Sequence, residues 1–184
     1  MTASSQTRMN LPHYDHPHSD LQFLHSVAQS APVKKADKIE KMLEALPAGQ
    51  LPGLDPHYAG YFTCFNSQRY YEAHDVLEHL WLQNRDANYA FYKGLIQLAG
   101  AFVHLQRQFQ RPHHPKDKNR ARPAVRLFHL AARNLDPYRP LHLHLDVERV
   151  WTLSTTFADQ IIHTGYANPW SPSSAPTLSL EPSQ

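Results

Sequence analysis

A single cysteine, Cys64, is all that the 184-residue chain contains, so no intrachain disulfide can form and a thiolate zinc site is excluded. A reducing, intracellular location is the expectation. No uninterrupted apolar run approaches the roughly 18 residues that span a bilayer. The opening MTASSQTRMN also lacks the apolar stretch of a signal peptide, so a cytoplasmic protein with no membrane span is expected. An excess of one charge is missing too: 18 Lys and Arg face 16 Asp and Glu, a net +2 with histidines neutral. The surface as a whole therefore attracts neither nucleic acid nor membrane, and any such contact must be local. There is no G-x-S-x-G stretch for a serine nucleophile, no HExxH and no paired ExxH signature. No repeat at a spacing of about 20 to 50 residues is evident.

What is present is enough chain for one modest domain with a real core. Val, Ile and Thr are sparse in its middle, and long stretches there follow the helical period. The fold class predicted is all-α, a compact bundle of about five helices with an N-terminal helical arm and disordered ends. Residues 1–19, containing PHYDHPHS, read as a disordered tail whose His13, His16 and His18 would bind metals only adventitiously. Residues 20–50 read as an arm and linker, with a weak helix at Asp20–Gln29 and a better one at Lys34–Leu46. In the latter Ile39, Met42, Leu43 and Leu46 form one apolar stripe.

The helical domain is placed at residues 51–165. Asp55 followed by Pro56 signals a helix start, with Asp as N-cap and Pro in the first turn. That helix should run to about Phe65, the next from Tyr70 to about Gln83, and a third from Tyr89 to about Gln108. Residues 107–123, RQFQRPHHPKDKNRARP, hold six Lys or Arg, one Asp and three prolines, and read as an exposed basic loop. Helices at Ala124 to about Asn134 and, capped by Asp146, at Val147 to about His163 follow. Residues 166–184 read as a disordered Pro/Ser tail.

The polar residues of FNSQRYYEAHDVLEHLW stand out against this core pattern. At about 100 degrees per residue, Tyr70, Ala73, Val76, Leu77, Leu80 and Trp81 fill one arc of the helix. His74 and Glu78, four apart, lie together at one edge of that arc beside Trp81, whereas Glu72, Asp75 and His79 lie toward the other edge. In the next helix GLIQLAGAFVHL is apolar nearly all round, with Gln97 and His104 two turns apart on one face and Gly100 and Ala101 between them. A buried glutamine and histidine need partners, and the preceding helix offers them.

FNSQRYYEAHDVLEHLW followed by FYKGLIQLAGAFVHLQ resembles the domain-of-unknown-function family 309, over about Asp55 to Leu153. The features that carry the resemblance are Phe65, Asn66, Glu72, Ala73, His74, Asp75, Glu78, Trp81, Gly94, Gln97 and His104, with LDV at 145–147. The chain departs from the pattern where Gln68 and His144 replace usual glycines and where the basic loop replaces a short link. The resemblance implies a compact helical domain with a polar cluster on its helices, and no established activity.

Three functional readings follow, and whether the chain is an enzyme is left open among them. The first is a protein-interaction or small-ligand-binding module, a homodimer included, built around a polar network of Glu72, His74, Asp75, Glu78, Trp81, Gln97 and His104. The second is a metal-dependent, hydrolase-like enzyme in which His74, Glu78 and His104 hold a divalent ion. The third is an RNA or phosphate contact through the basic loop, which the lack of interleaved aromatics argues against. Cys64, between Phe62 and Phe65, reads as a plain core thiol, and Phe91 and Phe102 as core aromatics.

Overall fold

The computed structural model describes residues 32–44, 53–83 and 85–181. The predicted His-rich tail and the helix at Asp20–Gln29 lie outside them. Among the described residues there are six α-helices: α1 (Pro32–Glu44), α2 (Pro56–Asn66), α3 (Tyr70–Gln83), α4 (Tyr89–Gln110), α5 (Ala121–Leu135) and α6 (Val147–His163). A 3-10 turn (Asp136–Tyr138) and a minute antiparallel hairpin, β1 (Leu141–His142) with β2 (Leu145–Asp146), join α5 to α6. The all-α expectation holds, with α1 as the arm and five helices behind it. Among the described residues no helix is long and apolar enough to cross a membrane.

Local chemistry sets the helix starts. Asp55 caps α2, its Oδ1 accepting from the backbone N–H of His57 at 2.8 Å and of Tyr58 at 3.4 Å, while Pro56 occupies the first turn. Asp146 caps α6 in the same way, accepting from Arg149 N at 2.8 Å. At the α2–α3 junction Gln68 takes φ 59°, a left-handed turn made by a residue other than glycine. Leu143 and His144 form the hairpin turn with φ 44° and 64°.

Consecutive helices pack side by side, α2 on α3, α3 on α4, α4 on α5 and α5 on α6, with α1 resting on α2 and α3. The twelve-residue stretch Gly94–Leu105 of α4 is buried throughout, so this helix is the centre of the bundle. Phe102 is its hub: its ring centroid lies 5.4 Å from Phe65 on α2, 5.2 Å from Tyr70 on α3, 5.2 Å from Phe128 on α5 and 5.1 Å from Phe157 on α6. Edge-to-face and stacked contacts of this kind add to what burial alone contributes. Gly94 lets α5 approach, since a Cβ there would stand 2.8 Å from Leu135 Cγ and 3.3 Å from Ala131 O.

Two sequence expectations are corrected. The basic stretch is not wholly an exposed loop: residues 107–110 complete α4, residues 121–123 open α5, and Asp117 and Arg120 are buried. Pro123 is tolerated because it stands in the first turn of α5, where backbone N–H groups have no partner inside the helix. Nor do the described residues of the Pro/Ser tail hang free. Trp170 is 2% exposed, donating from Nε1 to Tyr70 Oη at 3.2 Å, and Leu178 is buried. Asn66 pins Leu178 from both sides, donating to its carbonyl at 2.7 Å and accepting from its N–H at 2.8 Å. Leu180 bridges to Leu145. Gln68 Nε2 donates to Pro172 O at 2.9 Å, and the N–H of Glu181 donates to His144 O at 2.7 Å.

Candidate functional site

The candidate site residues of α3 stand where they do because that helix carries both the apolar arc that seats it against α4 and the polar residues at the edge of that arc. His74 is 2% exposed and Glu78, one turn later, 6%. Both go deeper than the rim position that the helical period assigns them. His74 Nδ1 lies 3.2 Å from Asp75 Oδ1, which fixes the orientation of the ring. Its other nitrogen, Nε2, is buried and has no hydrogen-bond partner. One donor atom each from His74, Asp75 and Glu78 lies within 4.8 Å of the other two. Two turns beyond His74, Trp81 packs its ring 5.0 Å from Tyr89, and its Nε1–H is likewise buried without a partner. Positions 74, 78 and 81 share one face of the helix.

Glu72 stands apart from this trio and pairs with Arg69 at 3.7 Å on the half-exposed side of α3. His79 stacks on His57 of α2, with ring centroids 4.9 Å apart, and lies 2.8 Å from Gln83. His57, a residue the sequence reading passed over, has its own Nε2 buried and unpartnered. Only its place in the first turn of α2, two residues after the Asp55 cap, could have marked it.

Gln97 and His104 find their partners on the other side of α4. The network predicted to join them to α3 is replaced by two contacts with α5 and its approach. Asn134 Nδ2 donates to Gln97 Oε1 at 2.7 Å. Arg120 donates from Nη1 to His104 Nδ1 at 3.3 Å and from Nε to Asp117 Oδ1 at 2.8 Å, while its backbone N–H donates to Gln108 Oε1 at 3.1 Å. His114 and Arg111 approach the second Asp117 oxygen at 3.2 and 3.9 Å. Burial, and then the charges of Arg120, Arg107 and Arg126, push the His104 pKa down to about 3, with Asp117 opposing them. The imidazole is therefore neutral and an acceptor.

This geometry removes His104 from the predicted metal set of His74, Glu78 and His104. It is not in the cluster of donor atoms, and a cation at its ring would meet the Arg120 guanidinium. Asp75, not His104, is the third polar residue beside His74 and Glu78. The two polar regions thus differ in sign: the α3 cluster is carboxylate-rich, and the seam of α4 with α5 is arginine-rich.

Comparison with known families matches residues 58–112 to the family described as Domain of unknown function (DUF309). The matched segment holds Glu72, His74, Asp75, Glu78, Trp81, Gln97 and His104, and ends before Arg120 and Asn134. No curated protein and no solved structure matches the chain.

Proposed function

We propose that the chain is a helical binding module whose α3 face, formed by His74, Glu78 and Trp81 with Asp75 behind the imidazole, receives a small polar ligand. The observation that carries this reading is the pair of buried, unpartnered ring nitrogens, His74 Nε2 and Trp81 Nε1, on one helix face. Each such group costs about 1 to 3 kcal/mol when it is left without a hydrogen bond. A bundle that satisfies Tyr61, Gln97, Asn66 and Trp170 internally has no structural use for two that are not satisfied. A ligand completes them by offering an acceptor to the indole N–H and a partner to the imidazole. The carboxylates of Asp75 and Glu78 select against anions, so the ligand is neutral or cationic.

The test is a fragment titration followed through the side-chain nitrogen signals of the imidazoles and of the Trp81 indole. Amine, amide and hydroxyl fragments that shift both sites, and that lose affinity at least tenfold in His74→Ala, support the module. If no fragment moves either signal and His74→Phe with Trp81→Phe simply melts higher, the face is a polar seam with no ligand, and the proposal fails.

A further inference from the structure

We propose that the α3 site takes a divalent transition-metal ion, with His74 Nε2 and Glu78 as its protein ligands and Asp75 as the group that holds the imidazole. This rests on the His74 half of the binding-module reading and narrows the ligand there to one chemical class; the Trp81 N–H is left to whatever group accompanies the ion. Several features of the site favour a metal over an organic occupant.

With Nδ1 engaged by Asp75 at 3.2 Å, Nε2 is the nitrogen left to donate a lone pair, and it is sealed from solvent. A carboxylate behind a ligating imidazole fixes the ring and raises its basicity. Glu78 stands one turn along the same face, and one ring nitrogen of His74 and one carboxylate oxygen each of Asp75 and Glu78 lie within 4.8 Å of one another. Bonds to an ion run about 2.0 to 2.2 Å, which places two ligands of a tetrahedral ion about 3.4 Å apart. An ion held there would therefore draw the donors closer together. Asp75 and Glu78 set two carboxylates beside one imidazole, and a dication between Glu78 and the ring offsets the crowding of like groups.

The ligand set of one nitrogen and one carboxylate oxygen, with no thiolate, suits Zn, Co, Ni or Mn rather than a closed structural zinc site. With two protein ligands, binding is weaker than in a four-ligand site and follows the order Mn, Co, Ni. The arginine-rich surroundings of His104 keep that imidazole out of the site.

The experiment uses the full chain with His13, His16 and His18 changed to alanine, so that its N-terminal histidines do not compete. Zn²⁺ and Co²⁺ are titrated while the imidazole nitrogen signals and the Co²⁺ absorption bands are followed, and bound Zn²⁺ is counted after gel filtration. One ion per chain is expected, with the His74 Nε2 signal moving first. Glu78→Gln and His74→Gln should weaken binding at least tenfold, Asp75→Asn by 10- to 100-fold, and His104→Gln should not change it. Thermal melts of each variant report folding, and the wild-type titration needs no variant to fold. Metal binding that leaves the His74 signals unmoved, or that persists in Glu78→Gln and His74→Gln, overturns the proposal. Absence of metal binding with fragments still shifting His74 and Trp81 overturns the metal and spares the module; absence of both overturns the two together.

Discussion

Arg120 hydrogen-bonds His104: its Nη1 lies 3.3 Å from the imidazole Nδ1, inside the protein, with Asp117 on the far side of the guanidinium at 2.8 Å. The arginine occupies the histidine, and burial first, then the arginine's charge, disfavour a proton on the ring.

A pH dependence follows. In the unfolded chain His104 takes up a proton near its ordinary value of 6.5, but in the folded chain only at about 3. Between those values the unfolded state binds more protons, so the stabilisation is complete above 6.5 and is lost as pH falls toward 3. The slope from one such group is about 1.4 kcal/mol per pH unit. Burial lowers the His142 pKa as well, so that residue adds loss of the same sign. Urea melts of the wild type and His104→Gln at pH 7, 6, 5 and 4 separate the two: the wild-type curve should fall more steeply by about one proton. Parallel curves would show that His104 titrates freely. For Asp117 burial works upward, but the hydrogen bond and charge of Arg120 outweigh it and hold the carboxyl below its usual value. Its protonation extends the loss to lower pH.

Gly94→Ala tests the closeness of α4 and α5. Alanine gains about 1 kcal/mol of helix propensity over glycine. Its Cβ would nevertheless meet Leu135 Cγ at 2.8 Å and Ala131 O at 3.3 Å, the second a backbone atom that cannot turn aside. Overpacking of this sort costs about 1 to 3 kcal/mol. The variant should melt lower than the wild type, and a higher melting temperature would mean that the two helices separate at little cost.

The C-terminal segment should contribute stability out of proportion to its composition. Trp170→Ala removes a buried indole that bonds Tyr70 and packs edge-on against Phe109 at 5.4 Å, at a cost of about 3 to 5 kcal/mol. Asn66→Ala leaves both backbone groups of Leu178 without their partner, at about 1 to 3 kcal/mol. Denaturant midpoints of both variants check this, and values within 0.5 kcal/mol, roughly what surface substitutions give, would show the segment to be dispensable.

Cys64 should resist thiol reagents in the native state. It is fully buried in α2, and burial pushes its thiol up, the nearby Glu72 adding to this and Arg69 opposing it. Thiolate is the reactive form. Labelling should therefore wait on unfolding and speed up sharply in denaturant; rapid labelling in buffer would contradict the packing described for α2.

The elements that the sequence reveals most directly are those whose cues are local. Tyr70–Gln83 and Val147–His163 have the bounds that periodicity and the Asp146 cap predict, and Asp55 caps α2 as its position before Pro56 requires. What periodicity cannot supply is the neighbour across a helix. Gln97 and His104 share a face, and the face is buried as expected, but nothing in a 3.6-residue period says that Asn134 and Arg120, rather than α3, lie opposite it. The buried Asp117–Arg120 pair is invisible for a related reason: charge counts treat every Lys and Arg as solvated, and burial of one depends on a partner that distant packing brings. The lone tryptophan at 170 and the leucine at 178 were the available signals against a disordered tail, since their apolar surface is wasted in a solvated segment. Of the candidate site, the pairing of His74 with Glu78 is legible from their spacing alone, whereas the contribution of Asp75 depends on a side-chain direction that the sequence does not specify.

The double hydrogen bond between Asn66 and Leu178 joins positions 112 residues apart. Loops of that length close late, because their ordering entropy must be overcome before the contact returns anything. Residues 168–181 also leave the ribosome after every helix they clamp. During synthesis the bundle can therefore assemble around Phe102 while the side of Tyr70 and Phe109 that Trp170 will cover is still bare. For that interval a nascent chain with all its helices in place still exposes aromatic surface that the finished molecule hides, and this is when it is most open to capture by a chaperone or by another copy of itself.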